Sequence, residues 1–399
     1  MGKTLTKYLK PFRELTKNEL VVLSFVIASF ISAYLQGAMI LLLPFYVLLT
    51  RQLKEYLPKR KSSYLLLAFG ISAAISTFLF SGTGYLNGFV LETWYVKLLS
   101  VGVIVLIFDI YFFVNVITRR VFLLSLKISA VCSIFCFIVA ATQKVLGIYP
   151  DPVFRPGRVA STFMNENYYG MLIEFVVLIA LFLWFRTKKT NGRIFYTGVI
   201  ILNLAALWLC QTRMSFVIVG ITVFIFLFFH ARRVSYAILG VITVIGVVLV
   251  FHPTFLPRFN TISSYLDYRL GIWEVAIEAI PNSLLLGRGY YSYCHVWTLV
   301  ANPEFAALHA HNLYIEVLLN FGIVGTVFLS TYCAIQISRS LKNCKSSGNQ
   351  TEATLIICMV CAILVHSLAD TTVFWPQTGF FAVLLLASPS VYIQEKEVK

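Results

Sequence analysis

Charged residues are scarce in this chain, and acidic ones are scarcer than basic ones. Asp, Glu, Lys and Arg make up 12% of the 399 residues, and 59% are hydrophobic. Soluble globular domains carry about a quarter of their residues as charged side chains, so the composition excludes that class. The mean hydropathy of +0.83 and the 34 Phe and 21 Tyr residues indicate a membrane protein.

Metal-binding and disulfide patterns are also lacking. None of the eight cysteines has a histidine partner at zinc-ligand spacing, and most lie within apolar runs, where a thiol packs as a small hydrophobic group. The sequence therefore predicts no metal site, no cofactor and no disulfide framework. No clear cleavage site follows the first apolar run, so we expect a retained membrane helix rather than a signal peptide.

What the chain does contain is apolar runs of membrane-spanning length. A spanning helix needs about 20 mostly apolar residues, and twelve candidates are centred near residues 27, 43, 72, 107, 131, 176, 202, 222, 243, 324, 360 and 384. The first two share residues 19–50. They are expected to form a hairpin that turns near Gln36 and Gly37, or else one of them is a shallow segment.

Basic residues are concentrated in alternate connections between these runs. The clusters are Lys3 to Lys17, Arg51 to Lys61, Arg119-Arg120, Arg186 to Arg193, Arg232-Arg233, Arg339 to Lys345, and Lys396 with Lys399. Positive charge marks the cytoplasmic side of a membrane protein, which places both termini in the cytoplasm. The same distribution explains the net charge of +15 without a nucleic-acid partner. The opposite connections, 82–96, 142–166, 211–213, 252–310 and 370–377, are then external.

One connection, 252–310, is much longer than the others. Its many Tyr and Trp residues and a helix-like pattern from Ile272 to Ile280, ended by Pro281, are untypical of disorder. We expect a folded external cap between helices nine and ten, within a single membrane domain that covers residues 1–399.

Arg213 lies in the five-residue link Gln211–Ser215 between two apolar runs. A charged residue at such a boundary is expensive and is a functional candidate. The alternative is a snorkelling anchor or an external salt bridge, and the sequence favours neither.

Two further external arginines are candidates. Arg269 precedes a predicted helix, and Trp273 lies one turn further along the chain. The alternative role of Arg269 is to cap that helix or to pair with Asp267 or Glu274. Arg158 lies in a loop of small and amide residues, for which an ordinary capped loop is the alternative. Several arginines converging on one pocket would suit a diphosphate, because a guanidinium group binds phosphate oxygens bidentately.

His311 is the first residue of predicted helix ten, and His309 precedes it by two. Imidazole, with an ordinary pKa of about 6.5, is a natural general base, although a single histidine at a helix start is more often an interface residue. Asn312 follows, and nine residues later come Gly322 and Gly325. Two glycines at this spacing predict close approach of a neighbouring helix.

Other ionisable residues lie within or beside the apolar runs. Glu174, Glu316 and Asp109 are expected to be buried carboxylates that make polar contacts in the bundle. His366 and Asp370, about one turn apart, could line the pocket of His311.

These segments together resemble the bacterial O-antigen ligase and O-antigen/capsule polysaccharide polymerase family. The resemblance is carried, in chain order, by Arg158 to Asn167, by Thr212-Arg213-Met214-Ser215, by Arg269 with Trp273 and Pro281 through Gly289, and by His311-Asn312 with Gly322 and Gly325. It covers roughly residues 155–390. Ser161 stands where the family commonly has Gly, and Glu166 stands in place of a Pro.

The resemblance implies a glycosyltransferase with a GT-C-like helical bundle in the bacterial cell (inner or plasma) membrane. Such an enzyme moves a glycan from undecaprenyl diphosphate to a sugar hydroxyl on the external face, without a metal. Arg213 and Arg269, with Arg158 behind them, would clamp the diphosphate, and His311 would be the base. Further candidates for substrate binding are Asn167, Asn312, Trp273 and His309. Expected partners are membrane lipid and the flippase and chain-length regulator of the same pathway.

Four functions are compatible with the sequence. A polymerase that joins repeat units is the first hypothesis, and a ligase that transfers a finished glycan to lipid A core or another acceptor is the second. A transporter or flippase of lipid-linked sugars would instead predict charged residues near the membrane midplane. A scaffold protein would tolerate Arg213→Ala and His311→Ala.

Overall fold

A computed structural model gives the fold, which is helical apart from one short hairpin. It describes residues 14–80, 84–86, 89–91, 93–150, 157–255, 262–299, 305, 307–346 and 348–393. Up to residue 251 the helices are α1 (Lys17–Ile31), α2 (Ala33–Leu49), α3 (Ser63–Phe80), α4 (Thr93–Val116), α5 (Arg119–Leu146), α6 (Glu166–Arg186), α7 (Thr190–Cys210), α8 (Arg213–His230) and α9 (Arg232–Phe251). The later helices are α10 (Ile262–Ala279), α11 (Tyr293–Leu299), α12 (Leu313–Ser346), α13 (Gln350–His366) and α14 (Pro376–Ile393).

Shorter elements connect these helices. Strands β1 (Gly84–Leu86) and β2 (Phe89–Leu91) pair antiparallel. Single 3₁₀ turns cover Leu53–Tyr56, Pro253–Phe255, Ile280–Ser283 and Thr372–Phe374.

Within the described residues, α1–α9 and α12–α14 coincide with the twelve predicted apolar runs. Six of them are long and apolar enough to cross a membrane, and most of the others are shorter apolar helices. Helix α6 is almost entirely buried among its neighbours, whereas α9 faces outward along nearly its whole length. The prediction of an all-α polytopic membrane protein is confirmed, and the likeness to a GT-C bundle stays a prediction.

The junction of the first two helices differs from the predicted turn at Gln36 and Gly37. The break lies at Ser32, whose backbone is extended, with φ −166° and ψ 137°. Its hydroxyl accepts the N–H of Tyr34 and so caps α2, while its own N–H donates to the carbonyl of Ala28. Ser is a favourable N-cap residue because its oxygen satisfies an unpaired helix donor. One capping residue therefore replaces the expected turn.

The two ends of the bundle differ in chemistry. At one end, buried Glu352 pairs with Arg186 and with Arg119, whose Nη2 lies 3.8 Å from the carboxylate. Arg339 donates to the hydroxyl of Ser62 at the same end. Described parts of the predicted external connections meet at the opposite end, as in the contacts of Arg158 with Thr212 and of His309 with Asp370. The side of the membrane that each end faces stays a prediction, and residues 1–13 and 394–399 lie outside the described residues.

Helix α10 covers the predicted helix in the long connection and ends just before Pro281, as expected. With α11 it forms a small hydrophobic core around Ile272, Ala276 and Tyr293, which packs on Leu319 of α12. The positions 256–261, 300–304 and 306 of the predicted cap lie outside the described residues.

Helix α12 is broken at Gly322, where the backbone has φ 60° and ψ −169°. The broken turn pairs with residues 284–289, the Leu-Leu-Leu-Gly-Arg-Gly segment that follows α10. Four backbone hydrogen bonds of 2.8–3.1 Å join them, from Arg288 N to Leu319 O, Gly289 N to Asn320 O, Ile323 N to Leu284 O and Val324 N to Leu285 O. Unpaired backbone groups are costly in a bilayer. Residues 284–289 offset this cost because they form hydrogen bonds with the backbone groups at the break.

The two glycines of the Gly-x-x-Gly pattern therefore have different roles. A Cβ at Gly322 would overlap the carbonyl of Leu285 and the amide nitrogen of Gly287. The segment that closely approaches Gly322 is therefore the loop 284–289, and not the neighbouring helix that was predicted. At Gly325 the expected helix approach is present, because Ser72 of α3 lies beside it.

We predict that Gly322→Ala destabilises the protein strongly. Its backbone region is essentially restricted to glycine, so conformational strain alone costs about 1–3 kcal/mol, and the overlap with the loop adds to this. The midpoint of thermal unfolding in detergent measures the effect. Gly246→Ala, in α9 with no heavy atom within 4 Å of the added Cβ, is the control. Equal midpoints for the two variants would contradict the role of the break.

Candidate active site

Asp370 is the buried centre of a polar cluster at the end of the bundle opposite Glu352. It follows α13 and is 3% exposed. Its Oδ2 accepts the Asn167 amide at 2.8 Å, and its Oδ1 accepts the N–H of Thr371 at 2.8 Å and contacts Nδ1 of His311 at 3.4 Å. Nε2 of His309 lies 4.0 Å from the same Oδ1. The cluster joins the start of α6, the loop before α12 and the turn after α13.

Asp370 is ionised in this cluster. Burial by itself raises the pKa of the carboxyl, but His311, which is hydrogen-bonded to it, together with His309 and Arg269, holds that pKa well below its ordinary value. An ionised carboxylate only accepts hydrogen bonds. Nδ1 of His311 is therefore the donor in this pair.

His311 has the geometry of an oriented base. Its backbone is left-handed, with φ 49°, an uncommon conformation for a residue other than glycine that is often found at functional sites. With its Nδ1 proton directed at Asp370, the lone pair of its Nε2 is left to accept a proton. A histidine base oriented by a third group is the arrangement that activates nucleophiles in many enzymes.

His309 packs edge-on against His311, with ring centroids 4.2 Å apart. Its Nδ1 accepts the backbone N–H of His311 at 3.2 Å. Burial, the neighbouring His311 and Arg269 lower the pKa of His309 to about 3, against an opposing effect of Asp370. His309 is therefore neutral near pH 7, and its contact with the backbone supports the conformation of His311.

Side chains of α12 fix the loop that carries both histidines. The Glu316 carboxylate accepts the N–H of Ala310 at 2.7 Å and the amide of Asn320 at 2.7 Å. Asn320 in turn accepts the N–H of Ser292 from the long connection. Asn312, a predicted substrate ligand, caps α12 by accepting the N–H of Tyr314, and it is buried.

Arg269 enters the site from α10. Its Nη1 donates to the carbonyl of Ala369, the residue before Asp370. Trp273 lies one turn further along α10, and its Nε1 is buried with no hydrogen-bond partner among the described residues. The side chain of Trp273 also packs against the small core of α10 and α11.

Arg213 is the first residue of α8. Its guanidinium carbon lies 5.8 Å from the ring centroid of Tyr265 on α10. Tyr265 and Arg269 are four residues apart on one helix, which places them on the same face. Arg213 thus lies beside the face of α10 that carries Arg269.

Arg158 is buried behind this cluster and bonds protein groups. Its Nε donates to the carbonyl of Cys210 at 3.1 Å, and its Nη1 lies 3.6 Å from the Glu166 carboxylate. Its Nη2 donates to the side-chain oxygens of Asn167 and Thr212 at 3.4 Å. Because the oxygen of Asn167 faces Arg158, its NH₂ group is turned toward Asp370. The geometry supports a positioning role for both residues.

A cavity of about 560 Å³ extends from the site into the bundle. His309, Tyr291, Glu316 and Thr371 line the end near the site, and the remaining wall is mostly apolar and reaches Asp109. The space available to a ligand therefore begins at His309 and continues between the helices.

Ligand atoms of His309, His311 and Asp370 lie within 4.8 Å of one another, which is close enough to hold a metal ion. The hydrogen bonds favour a different arrangement. Nδ1 of His311 donates to Asp370, and Nδ1 of His309 accepts a backbone N–H, which leaves the proton of neutral His309 on the nitrogen facing Asp370. A metal ion between these atoms would displace that proton.

The contact between Asp370 and His311 agrees with the expectation that Asp370 lines the histidine pocket. His366 instead forms a buried pair with Glu174, Nδ1 to Oε1 at 2.7 Å, and the carbonyl of His366 accepts the N–H of Asp370 at 3.0 Å. Sequence reasoning did not connect Asn167 or Glu316 with His311. The motif Asn165-Glu166-Asn167 was the available signal for Asn167.

We predict that His309 makes the stability of the protein depend on acidity. Its folded pKa of about 3 is below the unfolded value of about 6.5, so its contribution is present above pH 6.5 and is lost as pH falls toward 3. The loss reaches about 2 kcal/mol by pH 5. Thermal unfolding midpoints between pH 7 and pH 4 should therefore fall less in His309→Gln than in wild type. His252→Gln, which removes an exposed histidine, should follow wild type, and parallel curves for all three would contradict the assignment.

Comparison with known proteins matches a segment that carries part of this site. Residues 198–330 match the family model described as O-antigen ligase. Over 133 residues the chain is 24% identical to the exopolysaccharide production protein ExoQ of Rhizobium meliloti (strain 1021), a match that covers 31% of this chain and 31% of that relative. The matched family segment includes Arg213, Arg269, His311 and the broken turn of α12. Over these residues the chain is similar to the O-antigen ligase family, in agreement with the resemblance that its motifs carry.

Proposed function

We propose that this protein is a glycosyltransferase that joins lipid-linked glycans by transferring a glycan from undecaprenyl diphosphate to a sugar hydroxyl. The observation that carries the proposal is the His311–Asp370 pair, with Nδ1 3.4 Å from the carboxylate oxygen. Arg269 of α10 contacts the residue before Asp370, and Arg213 of α8 contacts the same helix through Tyr265. This set offers a base for a hydroxyl and cations for a diphosphate, which are the two requirements of that reaction.

The steps follow from the residues. Nε2 of His311 accepts the proton of the acceptor hydroxyl, and the hydroxyl oxygen forms a bond to the anomeric carbon of the donor. The bond from that carbon to the diphosphate oxygen breaks, and undecaprenyl diphosphate leaves as an anion. Arg213 and Arg269 stabilise the charge that develops on the leaving group, since preorganised cations are most effective where charge forms. Asp370 stabilises the imidazolium of His311.

Arg158 acts in this proposal from behind the site, through Asn167 and Asp370. The cavity beside His309 is mostly apolar at its inner end, which suits part of a lipid-borne substrate. His309, Asn312 and Trp273 stay proposed substrate-binding residues, and His309 lines the cavity. We place the reaction at the external face of the bacterial inner or plasma membrane, with both termini cytoplasmic.

A polymerase and a ligase are the two candidate activities, and a specific observation favours each. The match to a relative named for exopolysaccharide production favours a polymerase that extends a chain on its lipid carrier. The description of the matched family model favours a ligase that transfers a finished glycan to lipid A core or another acceptor. We propose the polymerase first, with a flippase and a chain-length regulator as pathway partners.

The test is a gel assay on purified protein in nanodiscs, supplied with undecaprenyl-diphosphate-linked repeat units and a chelator. We predict a ladder of lengths for wild type and a loss of about 10²–10⁴-fold in rate for His311→Ala, the range of general base catalysis. Asp370→Asn, Arg213→Ala and Arg269→Ala should each reduce the rate, while Glu278→Gln, an exposed change on α10, should not.

The outcomes separate the alternatives. A single shift that needs an added acceptor would make the protein a ligase. Loss of the ladder on chelation, restored by a divalent cation, would contradict the metal-independent mechanism. Full activity of His311→Ala would remove the proposed base, and no reaction by wild type with any acceptor would favour a transporter.

A further inference from the structure

Helix α10 has an outward apolar stripe of half-exposed side chains. Leu266, Leu270 and Ile277 are 51%, 47% and 53% exposed. Their spacings of four and seven residues place them in one row along the helix. The opposite face, with Ile272 and Ala276, is buried in the small core shared with α11.

Carboxylates occupy the neighbouring row of the same helix. Asp267, Glu274 and Glu278 are all exposed. Asp267 and Glu278 lie about a quarter turn around the helix from the apolar stripe, and Glu274, four residues after Leu270, lies between the two rows. Trp273 borders the stripe on its other side. An apolar row between a tryptophan and a charged row lets a helix lie along a membrane surface with its charges in water, although the charged row of such helices is usually basic and here it is acidic.

Two contacts determine the depth of α10 relative to the spanning helices. Tyr265 lies 5.8 Å from the guanidinium of Arg213, which is the first residue of α8. Arg269 donates to Ala369, three residues beyond the end of α13. Both contacts are at the ends of apolar helices, so α10 lies at the level where the bilayer surface is expected.

The exposure of the stripe is similar to that of outward residues on a helix long and apolar enough to cross a membrane. On the outward helix α9, Val241 is 58% and Ile245 is 53% exposed. A second copy of the chain is a less suitable occupant, because three side chains bury far less than the roughly 1,200–2,000 Å² of a stable protein interface. The bilayer is already adjacent to the neighbouring helices, so lipid can contact the stripe without the large buried area that a protein partner requires.

We infer that α10 is an interfacial helix whose Leu266, Leu270 and Ile277 insert into the acyl boundary of the leaflet at the active-site end, with its carboxylates in water. Arg269 and Trp273 then lie at headgroup depth. Resting on the proposed function, this means that a lipid-borne diphosphate reaches Arg269 from within the leaflet.

The first test does not depend on enzyme activity. Benzoylphenylalanine replaces Leu270 in one variant and Glu278 in a matched variant, and each is irradiated in nanodiscs of phosphatidylethanolamine and phosphatidylglycerol. Intact-protein mass spectrometry measures phospholipid adducts. We expect about tenfold more adduct at position 270 than at 278, a preference of about 1.4 kcal/mol. Equal lipid adducts at both positions, or links from 270 mainly to a second copy, would overturn the inference.

The second test joins the surface to the reaction. Leu270→Asp should lower kcat/KM about tenfold, or 1.4 kcal/mol, for an undecaprenyl donor in nanodiscs. The same variant should lose much less with a short-chain donor in detergent. Glu274→Gln should match wild type with both donors. An equal loss with both donors would overturn the approach of the donor from the leaflet. Wild type that is inactive with either donor would contradict the proposed function, and the adduct measurement would still decide the position of α10.

Discussion

The site depends on one buried carboxylate. An ionised side chain that is removed from water must be matched by donors and positive charge, and Asp370 receives them from segments that are far apart in sequence. Asn167 comes from the start of α6, His311 from the loop before α12, and the N–H of Thr371 from its own turn. The hydrogen bonds to Asp370 therefore hold these segments together. They also determine which nitrogen of His311 carries the proton.

A second constraint is the hydrogen bonding of the backbone in α12. The break at Gly322 leaves carbonyl and N–H groups that residues 284–289 satisfy, and this anchors the long connection beside the histidine loop. Asn320, within the broken turn, bonds both Ser292 and Glu316, and Glu316 holds Ala310. The break and the orientation of His311 are thus joined through a few hydrogen bonds, which gives a physical reason for the motifs of the two segments to occur together.

Much of the helical framework could be predicted from the sequence because apolar runs of membrane length have few alternatives in a bilayer. The same reasoning selected His311 and Arg269, which the structure brings to one end of the bundle. The contact of Asn167 with Asp370 joins residues 203 positions apart, and only packing determines such a pair. The break at Gly322 depends on a single backbone conformation, which a Gly-x-x-Gly spacing does not specify. At the first helix pair, one serine cap replaced the expected turn at Gln36 and Gly37.

The most direct measurement is a structure of the protein with a non-hydrolysable undecaprenyl diphosphate glycan and an acceptor glycan. The account predicts diphosphate oxygens at hydrogen-bond distance, about 3 Å, from Arg213 and Arg269. It also predicts an acceptor hydroxyl against Nε2 of His311, with Nδ1 still bonded to Asp370. A diphosphate bound away from both arginines, or one bridged by a metal ion held between His309, His311 and Asp370, would contradict it.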